Sequence, residues 1–302
     1  MKFSASIRKA ITFAAFALVC APIISAGALN PDVIALFPKN AGEFAYADLH
    51  QARQFPWFKQ FQEQVLPERF RQFEQFLTTA GINPNSQVEG LAWALVPVSM
   101  SSENAANSTP TADQIVGIAQ GQFDPNAAAT YYKGQKLATF EVQGFKLYGF
   151  GAGTDANDLC FMFIDGGTAA FGQRNLLERM IAVRKGTEES LLRNTTMADL
   201  IRQANGQGVF WAALSSAYTR LAINQLLPQA TQFPQAADLI AKVNALLISV
   251  QGTGNIEADF RALCATPQDA ATISQLLQAG LLMERYQAGQ SNPELARMLD
   301  SA

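Results

Sequence analysis

The sequence predicts an α+β protein made of two related halves. Each half runs strand, helix, helix, strand, strand, helix, with antiparallel sheets covered by helices. Three observations lead there. Short runs that alternate apolar with small or polar side chains recur between Gly-containing turns. Longer runs with apolar spacings of three and four separate them. Finally, Phe123-Asp-Pro-Asn-Ala-Ala-Ala-Thr130 and Ala265-Thr-Pro-Gln-Asp-Ala-Ala-Thr272 both place a capping residue, then proline, then an Ala-Ala-Thr run at the same offset, as a duplicated unit would.

Taken in order, Asn30-Pro31-Asp32 starts a short helix over Val33 to Phe37, which Pro38 stops. Phe44 to Asp48 alternates as a strand, and helical patterns follow near Pro56 to Val65 and Glu68 to Ala80, ended by Gly81. Val88 to Val98 and Ile115 to Phe123 read as strands joined by a Ser-, Asn- and Thr-rich loop. Asp124-Pro125 then caps a helix through Tyr132. Two hairpins follow, Leu137 to Val142 with Phe145 to Tyr148 around Gly144, and Leu159 to Ile164 with Thr168 to Phe171 around Gly166-Gly167. A helix from Arg174 to Arg184 closes this half.

The second half repeats the order. A helix near Met197 to Ala204 precedes a strand, Val209 to Leu214, and helices near Tyr218 to Leu227 and Gln235 to Leu246. Strands at Leu246 to Gln251 and Ile256 to Cys264 flank Gly252-Thr253-Gly254, and Thr266-Pro267 caps a long helix through Tyr286. Asn292 caps a short terminal helix, Pro293 to Leu299. The expected organisation is a signal peptide over 1–28, a first repeat with extra hairpins over 29–186, and a second repeat over 187–302.

Residues 1–28 carry the marks of an export signal: Lys2, Arg8 and Lys9, an apolar run from Ala10 to Ile24, and the small residues Ala26-Gly27-Ala28 before a cut. Pro22 interrupts the run, which is shorter than the roughly 20 residues of a membrane-spanning helix, so removal is expected over anchoring. No second stretch is long enough to span a membrane after that. A periplasmic or secreted location follows. Cys160 and Cys264 remain in strand-like runs, where an oxidising compartment permits a bridge and a buried free thiol is equally ordinary.

Composition narrows the chemistry. The 302 residues are 49% hydrophobic and 16% charged, enough for a substantial core. With 22 Lys and Arg against 25 Asp and Glu, no basic excess exists to neutralise a nucleic acid. A single histidine, His50, cannot build a multi-histidine metal site. No cofactor or metal site is expected. His50 lies two residues after Asp48, so a continuing strand would turn both side chains to one face, but no nucleophile motif accompanies them. Gly149-Phe-Gly-Ala-Gly-Thr-Asp155 has neither the dinucleotide spacing nor the following helix of a phosphate loop. Asp155, Asn157 and Asp158 lack the ligand series of a calcium loop. Carboxylates on or beside strands, Asp48, Asp124, Glu141, Asp165, Glu257 and Asp259, leave a carboxylate-dependent hydrolase open.

The most distinctive local feature is aromatic. Phe55, Phe58 and Phe61 fall near one helix face, as do Phe70, Phe73 and Phe76 on another, while Trp57 points elsewhere. Core packing accounts for such stripes, and an apolar groove is the functional alternative, with Phe55, Trp57, Phe58, Phe61 and Phe73 as its lining. Arg53, Lys59, Arg69 and Arg71 nearby suit an anionic headgroup or are simply solvated.

The entry Leu36-Phe-Pro-Lys-Asn-Ala41, then Phe44-Ala-Tyr-Ala-Asp-Leu49, and the strand end Gly121-Gln-Phe-Asp124 resemble uncharacterised exported bacterial proteins built from two α+β repeats. The resemblance implies export and a repeated architecture, and it brings no catalytic residues. The expected function is non-catalytic binding in the cell envelope, of an apolar or amphipathic small molecule or of another envelope protein, through the aromatic groove. A carboxylate-dependent hydrolase and a purely structural envelope component are the alternatives.

Overall fold

Alternation along Glu43–Asp48 (β1) sends Phe44 and Tyr46 to one side and Ala45 and Ala47 to the other, and both sides are buried. The same holds along Phe210–Ser215 (β8), where Trp211 and Ala213 oppose Phe210, Ala212 and Leu214. A strand apolar on both faces needs cover on both. In the computed structural model, which describes residues 27–56, 58, 78, 83–97, 113–150, 158–226, 238, 240–251 and 257–275, these two strands sit side by side inside one sheet.

The other strands are Val88–Pro97 (β2), Asp113–Gly121 (β3), Thr139–Val142 (β4), Phe145–Gly149 (β5), Leu159–Phe163 (β6), Thr168–Gln173 (β7), Val243–Gln251 (β9) and Glu257–Cys264 (β10). The ten-stranded order is β10-β9-β8-β1-β2-β3-β7-β6-β5-β4, with every pairing antiparallel. The α+β class stands, and the strands expected of each half join into one continuous sheet. Ala45 and Ala212, each third in its six-residue strand, lie directly opposite one another. The antiparallel ladder therefore relates β1 to β8 by a local twofold, with β2 and β3 stepping away on one side and β9 and β10 on the other.

Helices cover both faces. Pro31–Ile34 (α1), Arg174–Arg184 (α5) and Thr195–Ala204 (α6) bury Val33, Leu177, Met180 and Leu200 with Phe44 and Trp211. Leu49–Ala52 (α2), Pro125–Gln135 (α4) and Ser216–Leu226 (α7) bury Leu49, Tyr132 and Tyr218 on the opposite face. A short turn of helix, Pro84–Gln87 (α3), leads into β2. Residues 267–275 (α8) follow β10, and Thr266 opens them as a cap, its hydroxyl accepting from the Asp269 N–H at 3.1 Å.

Several expected elements change. The first helix is only α1, because the chain turns after Ile34 so that the Phe37 carbonyl can accept from the Leu191 N–H at 2.7 Å. The helix expected to run to Leu246 gives way at Val243, where β9 begins. Pairing with β8 on one side and β10 on the other satisfies that backbone and buries Ala245, Leu246 and Leu247, which outweighs their helical spacing. Cys160 and Cys264 are free thiols on β6 and β10, with six strands of the sheet between them, so no bridge can join them. The loop over 99–112, the two helices expected near Pro56 to Val65 and Glu68 to Ala80 save residues 56, 58 and 78, and residues 276–302 lie outside the described residues.

Candidate functional site

Two of the five expected aromatic residues are described. Phe55 and Phe58 follow α2, with the Phe58 N–H donating to the Phe55 carbonyl at 3.1 Å. Both are half-buried and rest on the core of the second face, on the same side of the sheet as Leu49, Ala52, Leu91 and Trp93. Trp57, Phe61 and Phe73 lie outside the described residues, as do Phe70 and Phe76. Arg53, expected to be solvated or to meet a headgroup, instead donates from its guanidinium to the Val88 carbonyl at 2.6 Å, tying the end of α2 to β2.

His50 and Asp48 do not share a strand face. Asp48 ends β1 and caps α2, its carboxylate accepting from the Gln51 N–H at 2.9 Å, so the backbone turns helical before His50, which is exposed. The remaining acids are dispersed. Asp124 caps α4 through the Asn126 and Ala127 N–H groups, and Asp165 accepts from the Gly167 N–H at 2.8 Å in a turn. Glu141 and Glu257 are exposed on β4 and β10 at opposite ends of the sheet, and Asp259 pairs with Arg261 at 2.7 Å. Among the described residues no three of His, Cys, Asp and Glu cluster as metal ligands would.

The second face carries an aromatic column that the sequence analysis did not single out. Tyr132 of α4 meets Tyr148 of β5 edge-on at 4.8 Å, Tyr148 stacks on Phe161 of β6 at 4.9 Å, and Phe161 meets Phe163 edge-on at 5.5 Å. The β5–β6 register explains it, since Tyr148 and Phe161 are direct cross-strand partners. Beside them Phe171 lies across Gly117, where a Cβ would come 2.2 Å from its ring. The Tyr132 hydroxyl donates to the Gly149 carbonyl at 2.9 Å. Burial pushes both the Tyr132 and Tyr148 phenols above their ordinary value, which keeps them protonated.

Above this column, between α4 and the β4–β5 hairpin, lies a shallow open cleft of about 450 Å³. Tyr132, Leu137 and Thr139 line it together with three lysines, Lys133, Lys136 and Lys146. None of the three lysines forms an ion pair among the described residues, and Lys146 sits 5.5 Å from the Tyr148 ring. Leu137 is an exposed large apolar side chain at this place. Lys136 caps α4 in the left-handed region, φ 54, which turns the chain back toward β4. The legible signal was a pair of lysines three apart at a helix end opposite a third in a hairpin, a pattern that helix-dipole stabilisation explains equally well. Chemically the cleft offers one tyrosine and one leucine beside three lysines, with Glu141 directly across the hairpin from Lys146.

No protein-family model matches the chain, and no curated protein matches it by sequence. Among solved structures it is similar to crystal form I of TP0453, at 10% identity and a TM-score of 0.49, covering 83% of this chain and 85% of that one. Crystal form III of TP0453 is similar at 9% identity and a TM-score of 0.46, over 81% and 86% of the two chains. Among the described residues no helix is long and apolar enough to cross a membrane.

Proposed function

We propose that the chain is an exported, non-catalytic binding protein of the cell envelope, periplasmic or secreted, that takes an apolar or amphipathic molecule, or an envelope protein presenting one, on the aromatic face of its sheet. The observation that carries this reading is the cleft beside α4. Its Tyr132 and Leu137 suit an acyl or aryl body, and its three lysines, none in an ion pair among the described residues, suit an anionic head. The half-buried Phe55 and Phe58 rest on the same face of the sheet, and Trp57, Phe61 and Phe73, expected to line a groove with them, lie outside the described residues. Export rests on the basic, apolar and small-residue sequence of residues 1–28 and on the resemblance to exported two-repeat proteins.

The test is native mass spectrometry of the protein purified from an exporting host, beside titration with a fluorescent long-chain carboxylate and, as control, an uncharged alkyl glycoside of the same chain length. Saturable binding of the carboxylate, weakened about tenfold or more by Lys133→Glu with Lys146→Glu, is expected. Equal binding of both amphiphiles, unaffected by those substitutions, would exclude the cleft. Absence of any bound molecule and of any saturable binding would favour a structural role in the envelope.

A further inference from the structure

The two ends of the sheet are not alike. At one end β4 is a four-residue strand, with the Arg174 guanidinium 5.0 Å from the Phe140 ring and the Lys185 ammonium donating to the Gln143 carbonyl. Such a short edge offers few groups for further pairing. At the other end β10 is eight residues long, pairs only with β9 among the described residues, and is exposed from Glu257 to Arg261. Phe260, at the middle of this edge, is 56% exposed. The twofold relation between β1 and β8 puts β10 where β3 stands on the other side, and β3 does take an outer antiparallel partner, β7.

The edge sequence is complementary to itself. In an antiparallel pair of Ala258-Asp-Phe-Arg-Ala262 with its own copy, centred on Phe260, alanine faces alanine, Asp259 faces the second copy's Arg261, and the two phenylalanines face each other. Strand alternation keeps the charges on one face and the apolar residues on the other. On the charged face Asp259 and Arg261 already pair within one strand at 2.7 Å, so two copies would make a ladder of four charges with alternating sign. On the other face, Ala258 and Ala262 leave room beside the paired rings.

We propose that this chain forms a twofold homodimer through antiparallel pairing of its β10 edges, which joins two ten-stranded sheets into one. The surface is separate from the cleft beside α4 and does not rest on what that cleft binds. Sedimentation of the full exported chain from roughly 1 to 100 μM tests it. The expected result is a concentration-dependent dimer. Arg261→Asp or Asp259→Arg alone sets like charges opposite one another and weakens it about tenfold or more, while the two substitutions together restore it to within about threefold of the original. Circular dichroism establishes that each exposed substitution leaves the fold intact. A monomer throughout the range overturns the proposal. So does a dimer indifferent to both reversals and to Phe260→Asp.

Discussion

Asp48 and Cys160 show how far single residues decide local behaviour. By cap geometry alone, Asp48 converts a strand into a helix within one residue, and the alternation that would have carried His50 onto the same face ends there. A capping aspartate after an alternating run was legible in the sequence, but it competes with a strand continuation that looks identical until the backbone is seen. Cys160 is fully buried on β6, and burial pushes its thiol up to about 11 from the ordinary 9.0. A group whose folded value is raised contributes fully below its unfolded value and loses that contribution as pH climbs to the folded one. Unfolding free energy is therefore expected to fall by about 2 kcal/mol from this thiol between pH 9.0 and about 11. Urea melts across that range should show the drop, and Cys160→Ala should remove it between pH 9 and 10, below the range where the raised phenols of Tyr132 and Tyr148 add a fall of their own. At pH 8 a thiol reagent is expected to label the partly exposed Cys264 in the native protein and Cys160 only after unfolding.

At the scale of elements, the hairpin β4–β5 was readable because its turn is chemically specific. Gln143 and Gly144 both have positive φ, 50 and 88, as a two-residue turn matching the strand twist requires. Nothing lies within 4 Å of where a Gly144 Cβ would point, so the cost of Gly144→Ala is conformational alone. A destabilisation of about 1 kcal/mol is expected by thermal melting, with the lysines of the neighbouring cleft still able to bind. The caps at Asp124 and Thr266 were equally legible, because each is a local hydrogen bond to nearby N–H groups. β9 was not. Its first residues carry a helical spacing, and only neighbours on both sides, distant in sequence, make the extended form the one that satisfies the backbone. The aromatic column escaped notice for the same reason, since Tyr132, Tyr148 and Phe161 meet through strand register and not through spacing along the chain.

For the whole molecule, the related order of strands was visible in the sequence, while their fusion into a single sheet was not, because no local pattern states which strands lie at an edge. The fusion runs through several ties. β1 pairs with β8, the Asn205 carboxamide holds both the N–H and the carbonyl of Leu29 at 2.8 and 2.9 Å, and Lys39 reaches Glu189 at 2.8 Å. One cooperative transition is therefore expected, with near-ultraviolet and far-ultraviolet circular dichroism superimposing across a denaturant melt. Two separated transitions would mean that residues 29–186 and 187–302 unfold independently.

The central ladder also sets an order of events in time. Among the described strands β1 comes first in the chain, and one of its two neighbours, β8, comes eighth. Until Phe210–Ser215 arrives, Phe44 has no Trp211 to pack against, and one side of β1 lacks its hydrogen-bonding partner. Closing that gap needs a contact between residues far apart in the chain, which raises contact order and slows folding relative to a protein built from local pairs. The emerging polypeptide must therefore hold β1 half-paired until β8 is made, with Phe44 and Tyr46 lacking the indole that later covers them.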